Sequence, residues 1–544
     1  MKIEKTDIKN KQCILWGRIR HIYEFMFMFD FLNCKGYIPV DENVQYKVPL
    51  NKLAVSDIEK VLDENLLFII CDTNTDNYVE IIQKKYSLNK LEYISFEDCF
   101  YLLDKFNHDV LDNRKIAIWG IGDTEKNLQM AFKDNQYNIK ADLYIDRNAE
   151  KADSYYRGVP VKRLDQIDSI KQFFIIVASI YYSDIKMELN DLGLIEGKDY
   201  LPFSCFMSKP SDMLKELVYA EENPYFYCNR PYTWFYYAWF GAYSCCSTWV
   251  KYPIGNPAAD SPEACWNSTV AKLYRLSVDT KTYCFCKKEA CGLMGNTNSI
   301  KEEVIDYSIP QKITLGLDYT CNLHCASCRE HVQIATGEQL RIREKFAEEI
   351  IQTGWLEKTK ELELSGSGEA LFSKIDRKII FSNDKCKRES ISLMSNGILL
   401  NNLILQSLIQ HFKHIRLNIS IDAATEETYI KLRRGGNWKT LLQNLELISG
   451  MRQQNVIEYV EIRMVVQKNN YKEMIDFIQL GKKYHVDKVV FTKLLNWDMF
   501  SEDAYLDEAM LNKNGTLQTE LEQILQMDIF KERIVQISEF RQYL

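Results

Sequence analysis

The chain has 544 residues, 46% hydrophobic and 26% charged, with a net charge of −8. That balance suits a soluble globular protein of three or four domains and gives no global attraction to nucleic acid or an anionic membrane. The long apolar runs, such as residues 66–71 and 173–178, are strand-length and too short to cross a bilayer, and the start, Met1-Lys2-Ile3-Glu4-Lys5, lacks the apolar core of a signal peptide. Sixteen cysteines without a secretion signal are expected in a reducing cytoplasm, as metal ligands or buried thiols, and ten of them lie between Cys228 and Cys328.

The first two hundred residues contain an internal repeat. Cys13-Ile14-Leu15-Trp16-Gly17 matches Ile116-Ala117-Ile118-Trp119-Gly120, Asp41 matches Asp146, Phe68-Ile69-Ile70 matches Phe174-Ile175-Ile176, and Tyr93 matches Tyr200. The offset moves only from 103 to 107, as expected when loops drift and elements do not. Each copy, residues 1–110 and 111–210, reads as strand, glycine turn, helix, strand ending in Asp, helix and a third strand, which is half of a doubly wound sheet. The second copy has Gly120-Ile121-Gly122 at the turn but Glu125 where a third glycine would stand, so the dinucleotide fingerprint is incomplete. With Ile145-Asp146-Arg147-Asn148, Gly158-Val159-Pro160-Val161 and Ala178-Ser179, this copy resembles small Rossmann-like modules attached to sugar-modifying and capsule-pathway enzymes. The resemblance implies a nucleotide or nucleotide-sugar ligand. The same residues also read as a module kept for shape or partner contact.

Residues 211–300 break the pattern: aromatics crowd 225–249, turns follow, and Cys228, Cys245, Cys246, Cys284, Cys286 and Cys291 cluster. From 301 to 500 strands and helices alternate. Strands are expected at 312–317, 361–364, 391–394, 415–421, 459–466 and 488–491, with helices such as 341–354 and 473–484 between them. Six strands each followed by a helix predict an open (βα)6 partial TIM barrel, so the whole chain is α/β: two Rossmann-like modules, a small Cys-rich domain and the partial barrel. The tail, 501–544, reads as two surface helices without a chemical motif.

The loop after the first barrel strand carries Cys321, Cys325 and Cys328 in a C-x3-C-x2-C array. Three thiolates on one short loop can hold three irons of a cubane cluster and leave the fourth open to a cosubstrate. A zinc knuckle or scattered core cysteines is the competing reading. Ser365-Gly366-Ser367-Gly368-Glu369 follows the second strand, Ser395-Asn396-Gly397 ends the third and Ser420-Ile421-Asp422 ends the fourth. Chemistry in barrel enzymes sits on such carboxyl-end loops.

On this ordered set of motifs, the barrel resembles a radical S-adenosylmethionine (SAM) enzyme. The resemblance implies a [4Fe–4S] cluster on Cys321, Cys325 and Cys328, SAM as cosubstrate, reductive cleavage to a 5′-deoxyadenosyl radical, and hydrogen abstraction from an unactivated C–H bond. It implies that Glu369 accepts hydrogen bonds from the SAM ammonium, that Gly366 and Gly368 let backbone approach SAM, and that Asn396, Ser420 and Asp422 line its site. Arg463 is expected either to balance the SAM carboxylate or to form an ordinary barrel salt bridge. Ser395-Asn396-Gly397 could equally be only a turn. The chain departs from the family where Ser367 and Ala370 replace the usual Gly and Pro around Glu369, and where Ser327 precedes the third cysteine.

Cys228, Gly241, Cys246, Ile254-Gly255-Asn256, Trp266-Asn267-Ser268 and the cysteines at 284, 286 and 291 resemble a SPASM-type auxiliary-cluster domain, here placed before the barrel. Adjacent Cys245 and Cys246 point opposite ways on an extended segment, so one of them is expected to bind. The expected ligands are Cys228, Cys246, Cys286 and Cys291 on a probable auxiliary [4Fe–4S] cluster, with Cys284 competing and a zinc site as the alternative. Cys13, Cys34, Cys71, Cys99 and Cys386 read as buried thiols. The expected partners are a peptide or protein, or a sugar or nucleotide-sugar, as substrate, and an electron donor such as a flavodoxin or ferredoxin. Rival readings are a non-catalytic scaffold in a surface-polysaccharide pathway and a zinc-stabilised nucleotide-sugar enzyme.

Overall fold

The computed structural model describes residues 8, 10–41, 46–54, 66–75, 79–80, 83–84, 92–104, 111, 114–135, 137–148, 154–291, 293–294, 308–364, 366–382, 387–496, 499–537 and 539–540. Ser365, Cys386 and the first seven residues lie outside that set. The chain forms two compact units, residues 1–232 with 240–303, and residues 233–239 with 304–544. Among the described residues, no helix is long and apolar enough to cross a membrane.

In the first unit, β1 (Gln12–Gly17), β2 (Cys34–Pro39), β3 (Leu66–Cys71) and β4 (Tyr93–Ser95) make a parallel sheet in the order β2-β1-β3-β4. A second sheet holds β5 (Lys115–Trp119), β6 (Leu143–Ile145), β7 (Tyr155–Tyr156), β8 (Val159–Lys162), β9 (Phe173–Val177) and β10 (Tyr200–Pro202) in the order β10-β9-β5-β6-β8-β7. Strands β6-β5-β9-β10 thus repeat the order of the first sheet, and β7 with β8 is an added antiparallel hairpin. Continuous apolar strands such as β3 and β9 are buried along their whole length, as parallel strands covered on both faces require.

The glycines ending β1 and β5 have a structural cause. A Cβ on Gly17 would lie 2.1 Å from the Cys71 carbonyl oxygen, and one on Gly120, at φ 117°, would lie 2.4 Å from that of Ala178. In both copies the glycine admits the end of the third strand. Where a third fingerprint glycine would stand, Glu125 is fully buried and accepts hydrogen bonds from Tyr144 (3.0 Å) and Tyr156 (2.8 Å), with Arg157 3.3 Å away. Asp41 caps the helix Ile19–Met28, its Oδ1 accepting from the Ile19 amide at 2.8 Å. Cys13, Cys71 and Cys99 are buried and Cys34 is partly so.

The remainder of the first unit folds around aromatics. Arg275 is buried over the Trp266 ring, 4.4 Å from its centroid, and donates to the carbonyls of Pro231 and Trp266. Ser268 caps the helix Thr269–Asp279. The chain passes through β11 (Trp234–Ala238), which belongs to the second unit, and β12 (Gly241–Tyr243), which belongs to the first.

The second unit contains one parallel sheet in the order β11-β13-β14-β15-β16-β17-β18-β19, with β13 (Lys312–Gly316), β14 (Glu361–Leu364), β15 (Arg388–Ser395), β16 (Phe412–Ser420), β17 (Tyr459–Val466), β18 (Lys488–Lys493) and β19 (Val535–Gln536). It is a mixed α/β arrangement consistent with a partial TIM barrel. The six expected strands are β13 to β18. The structure adds β11 at one edge, drawn from the aromatic segment, and β19 at the other, drawn from the tail. The tail therefore has its two helices, Glu502–Glu508 and Thr519–Leu525, but also an edge strand. A two-residue strand carries too little periodicity to be read from sequence. One sheet face is apolar, with Ile313, Leu315, Leu362, Leu364, Leu393 and Leu417 at 0–1% exposure. The other carries polar groups joined across strands: Thr314 donates to Glu363 at 2.7 Å, and Asn418 to Ser392 at 3.1 Å.

Candidate functional site

The candidate motifs of the second unit lie at or just beyond the carboxyl ends of β13 to β16. The cysteine loop leaving β13 is held from two sides by three backbone hydrogen bonds. The Glu369 amide donates to the Thr320 carbonyl (2.9 Å), the His324 amide to Arg434 (3.1 Å) and the Ala326 amide to Leu432 (2.9 Å). Gly368 explains the closeness of the loops: a Cβ there would sit 2.5 Å from the Thr320 oxygen and 2.8 Å from the Tyr319 carbonyl carbon. Gly368 is expected to let backbone approach SAM, and in the structure it admits the cysteine loop. Gly366 is less confined, its virtual Cβ meeting only the Met394 Cγ at 3.1 Å.

The three sulfurs differ in exposure and agree in bonding. Cys321 is buried, Cys325 intermediate and Cys328 exposed, so the array opens at its third member. Each sulfur faces one nitrogen donor: the Leu323 amide reaches Cys321 Sγ at 3.4 Å, Arg433 Nη1 reaches Cys325 Sγ at 3.7 Å, and Arg329 Nε reaches Cys328 Sγ at 3.3 Å. Burial raises the thiol pKa values of Cys321 and Cys325, and the arginines oppose that rise by favouring thiolate. Sulfurs already provided with donors are suited to being thiolate ligands. Among the described residues, no three His, Cys, Asp or Glu side chains converge tightly enough to hold a single metal ion. A cubane does not need that convergence, since each thiolate binds its own iron.

Glu369 is 1% exposed. Its Oε1 accepts from Ser395 Oγ at 2.9 Å and the Leu371 amide at 3.4 Å, and its Oε2 from the Asn396 amide at 2.7 Å. Burial raises its pKa, with those hydrogen bonds acting against the rise. The Ser395-Asn396 corner is therefore more than a turn: it binds this carboxylate, and Asn396 Nδ2 also donates to Asn322 Oδ1 of the cysteine loop at 2.9 Å. Three donors fill most of the roughly four acceptor positions of a carboxylate, leaving about one for an ammonium.

Ser420 stays partly exposed, its hydroxyl 3.6 Å from the Met394 sulfur. Asp422 is otherwise. It is buried in a left-handed conformation, φ 64°, with Oδ2 on Arg433 Nη2 at 2.7 Å and Oδ1 accepting the Val465 amide at 2.8 Å. These contacts tie it to Arg433 and to β17. Arg463 Nε donates to Glu461 at 2.5 Å, two residues away on the same face of β17, which is the barrel salt-bridge reading. Arg329 and Arg433 were missed by the sequence reading. Arg329 follows Cys328 directly and carried a usable signal, whereas Arg433 is brought to Cys325 only by the fold.

A second cysteine set lines a cavity in the first unit: Cys228, Cys245, Cys286 and Cys291, walled by Phe226, Trp249 and Tyr283 among others. Cys228, Cys286 and Cys291 are three of the four expected ligands, and the fourth cysteine of the lining is Cys245. Cys246 faces the Thr248 hydroxyl at 3.2 Å and Cys284 the Thr282 hydroxyl at 3.7 Å. Of the adjacent pair, Cys245 lines the cavity and Cys246 does not. Burial pushes the Cys286 thiol up to about 12 and raises that of Cys245.

Residues 319–481 match the model of the radical SAM superfamily, and residues 112–198 match a family described as C2185-like, N-terminal. A GTP 3′,8-cyclase of Clostridium botulinum (strain Okra / Type B1) is 28% identical over 208 residues, which is 36% of this chain and 61% of that protein. Molybdenum cofactor biosynthesis protein 1 of Drosophila melanogaster is 22% identical over 215 residues, 38% of this chain and 35% of that protein. The chain thus spans about three fifths, or less, of the length of the curated relatives it matches. Among solved structures, Streptococcus suis SuiB bound to precursor peptide SuiA is similar at a TM-score of 0.30 and 14% identity, covering 42% of this chain and 48% of that one. An archaeal TYW1 is similar at a TM-score of 0.22 and 20% identity, covering 36% and 67%. The cofactors of the superfamily are a [4Fe–4S] cluster and SAM, and the donors on Cys321, Cys325 and Cys328 fit the first of them.

Proposed function

We propose, on the premise that residues 319–481 are a radical SAM domain, that this chain takes a hydrogen atom from an unactivated C–H bond of a peptide or protein, or of a sugar or nucleotide-sugar. The observation that carries the reading is the set of three thiols, each with its own N–H donor, above the carboxyl ends of parallel strands. Bound there, the cluster and SAM supply one-electron cleavage of a carbon–sulfur bond and a carbon radical able to abstract hydrogen.

The protein's part is to hold and orient. Cys321, Cys325 and Cys328 act as the thiolate ligands. Glu369 fixes the Ser395-Asn396 corner against the cysteine loop and keeps one acceptor position for the SAM ammonium. Ser420 and Gly366 border the space beside them. Cys228, Cys245, Cys286 and Cys291 are proposed to hold an auxiliary [4Fe–4S] cluster, and a flavodoxin or ferredoxin to supply the electron. The likeness to a GTP 3′,8-cyclase supports a nucleotide-bearing substrate within the stated range.

Anaerobic reconstitution followed by iron and sulfide analysis, then reduction in the presence of SAM, tests the reading. The expected result is 5′-deoxyadenosine from the native chain and none after Cys321, Cys325 and Cys328 are replaced together by Ala. An unchanged yield of that nucleoside would refute it. Zinc in place of iron and sulfide at both cysteine sets would instead favour a zinc-stabilised protein.

A further inference from the structure

Two guanidinium groups meet two different sulfurs of the same loop. Arg433, its side chain 12% exposed, places Nη2 on Asp422 Oδ2 at 2.7 Å and Nη1 3.7 Å from Cys325 Sγ. Its Nε has no acceptor among the described residues. Arg329 directs Nε at Cys328 Sγ (3.3 Å) and is held there by the Tyr319 carbonyl at 2.7 Å and the Ser367 carbonyl at 3.2 Å. Among the described residues, the hydrogen-bond donor to Cys321 is neutral, the Leu323 amide, and Arg329 acts on this sulfur only through its charge. Two sulfurs therefore carry charged hydrogen-bond donors and the third an uncharged one.

We propose that Arg433 and Arg329 are positioning residues that raise the reduction potential of the cluster held by Cys321, Cys325 and Cys328, and that Asp422 holds Arg433 in place while moderating its effect. The proposal rests on the cluster reading above. Adding an electron to a cluster adds negative charge, so hydrogen bonds to its sulfurs stabilise the reduced form over the oxidised one. Charged donors do so more strongly than neutral ones. Arg433 acts from a buried position where solvent screens little, and Arg329 from a more exposed one. Asp422 opposes Arg433 because its carboxylate brings a negative charge close to the same sulfur. The signs therefore differ within one ion pair: loss of the arginine lowers the potential, and loss of the carboxylate raises it.

Potentiometric titration of the anaerobically reconstituted holoenzyme without SAM, followed by electron paramagnetic resonance of the reduced cluster, reads this directly. Arg433→Gln is expected to lower the reduced-to-oxidised ratio at fixed potential about tenfold, a midpoint about 59 mV lower for one electron. Arg329→Gln should lower it by a smaller factor, Asp422→Asn should raise it, and Arg433→Lys should recover part of the native value. A disturbance of packing alone has no reason to move the two halves of the pair in opposite directions. Shifts of the same sign for Arg433→Gln and Asp422→Asn, or no shift in either at native iron and sulfide content, would overturn the proposal. If Arg433→Gln loses its iron, Arg329→Gln decides, and an unchanged potential there is equally fatal. A native chain that assembles no cluster on Cys321, Cys325 and Cys328 would instead overturn the functional reading.

Discussion

The two cysteine sets of this chain are built in opposite ways. Cys321, Cys325 and Cys328 lie within eight residues, on one loop, with backbone and arginine donors on their sulfurs. Cys228, Cys245, Cys286 and Cys291 come from separate segments and meet in a cavity walled largely by aromatic and aliphatic groups. In the loop, burial of the thiols is answered by arginines close enough to bond the sulfurs of Cys325 and Cys328. In the cavity, burial dominates, as the rise of Cys286 to about 12 shows. A local array declares its ligands by spacing, whereas an assembled one depends on which way each side chain turns.

The largest expected effect separates the two sets outright. Replacing Cys321, Cys325 and Cys328 by Ala should abolish 5′-deoxyadenosine formation while leaving the iron bound at the cavity. Loss of all iron in that triple variant would mean that the sets are not independent.

Next comes the choice between neighbours. In the same triple background, Cys245→Ala should remove the remaining iron and sulfide and Cys246→Ala should not, by elemental analysis and visible absorption. The reverse outcome would return Cys246 to the ligand set and show that the cavity rearranges on loading.

Gly368→Ala sharpens the loop side of the comparison. Its methyl group would collide with the Thr320 carbonyl, and overpacking of this kind is worth about 1–3 kcal/mol of destabilisation. A lower melting temperature and faster loss of iron from the barrel cluster are expected, with cavity iron unchanged. A variant as stable as the native chain would show that the loop has room to move.

The smallest effect concerns charge behind the loop. Asp376 is buried, its Oδ1 lacks a hydrogen-bond partner among the described residues, and burial followed by the nearby Asp318 and Glu369 charges raises its pKa well above the ordinary value. With the folded-state pKa above the unfolded one, the folded form binds the extra proton. Its contribution to stability is present at low pH and is lost as pH rises from about 3.9 through the folded value. Asp376→Asn keeps a neutral group at all pH values. It should stabilise the fold more at pH 8 than at pH 5, by an amount on the order of 1 kcal/mol, read as a larger rise in melting temperature at pH 8. An equal change at both pH values would show that Asp376 is ionised in the fold.

Much of this was legible in the sequence because it was local. The six strands of the barrel followed from periodicity, and the C-x3-C-x2-C array with Glu369, Ser395 and Asn396 came from motifs at strand ends. The matching offsets from Cys13 and Ile116 anticipated two sheets with one strand order. What the sequence left illegible was orientation. The fold sets the Asp422 carboxylate on Arg433 and the Val465 amide. It also packs Gly368 against the Thr320 carbonyl.

The sequence by itself determined the α/β alternation, the thiol array and the places where loops would carry chemistry, since each depends on residues a few positions apart. Only the tertiary structure decided which of Cys245 and Cys246 turns inward, that Thr233–Trp239 joins the second unit, and that an arginine more than a hundred residues from Cys325 reaches its sulfur. A side chain's direction is set by what packs against it, and those neighbours come from segments that no local pattern brings together.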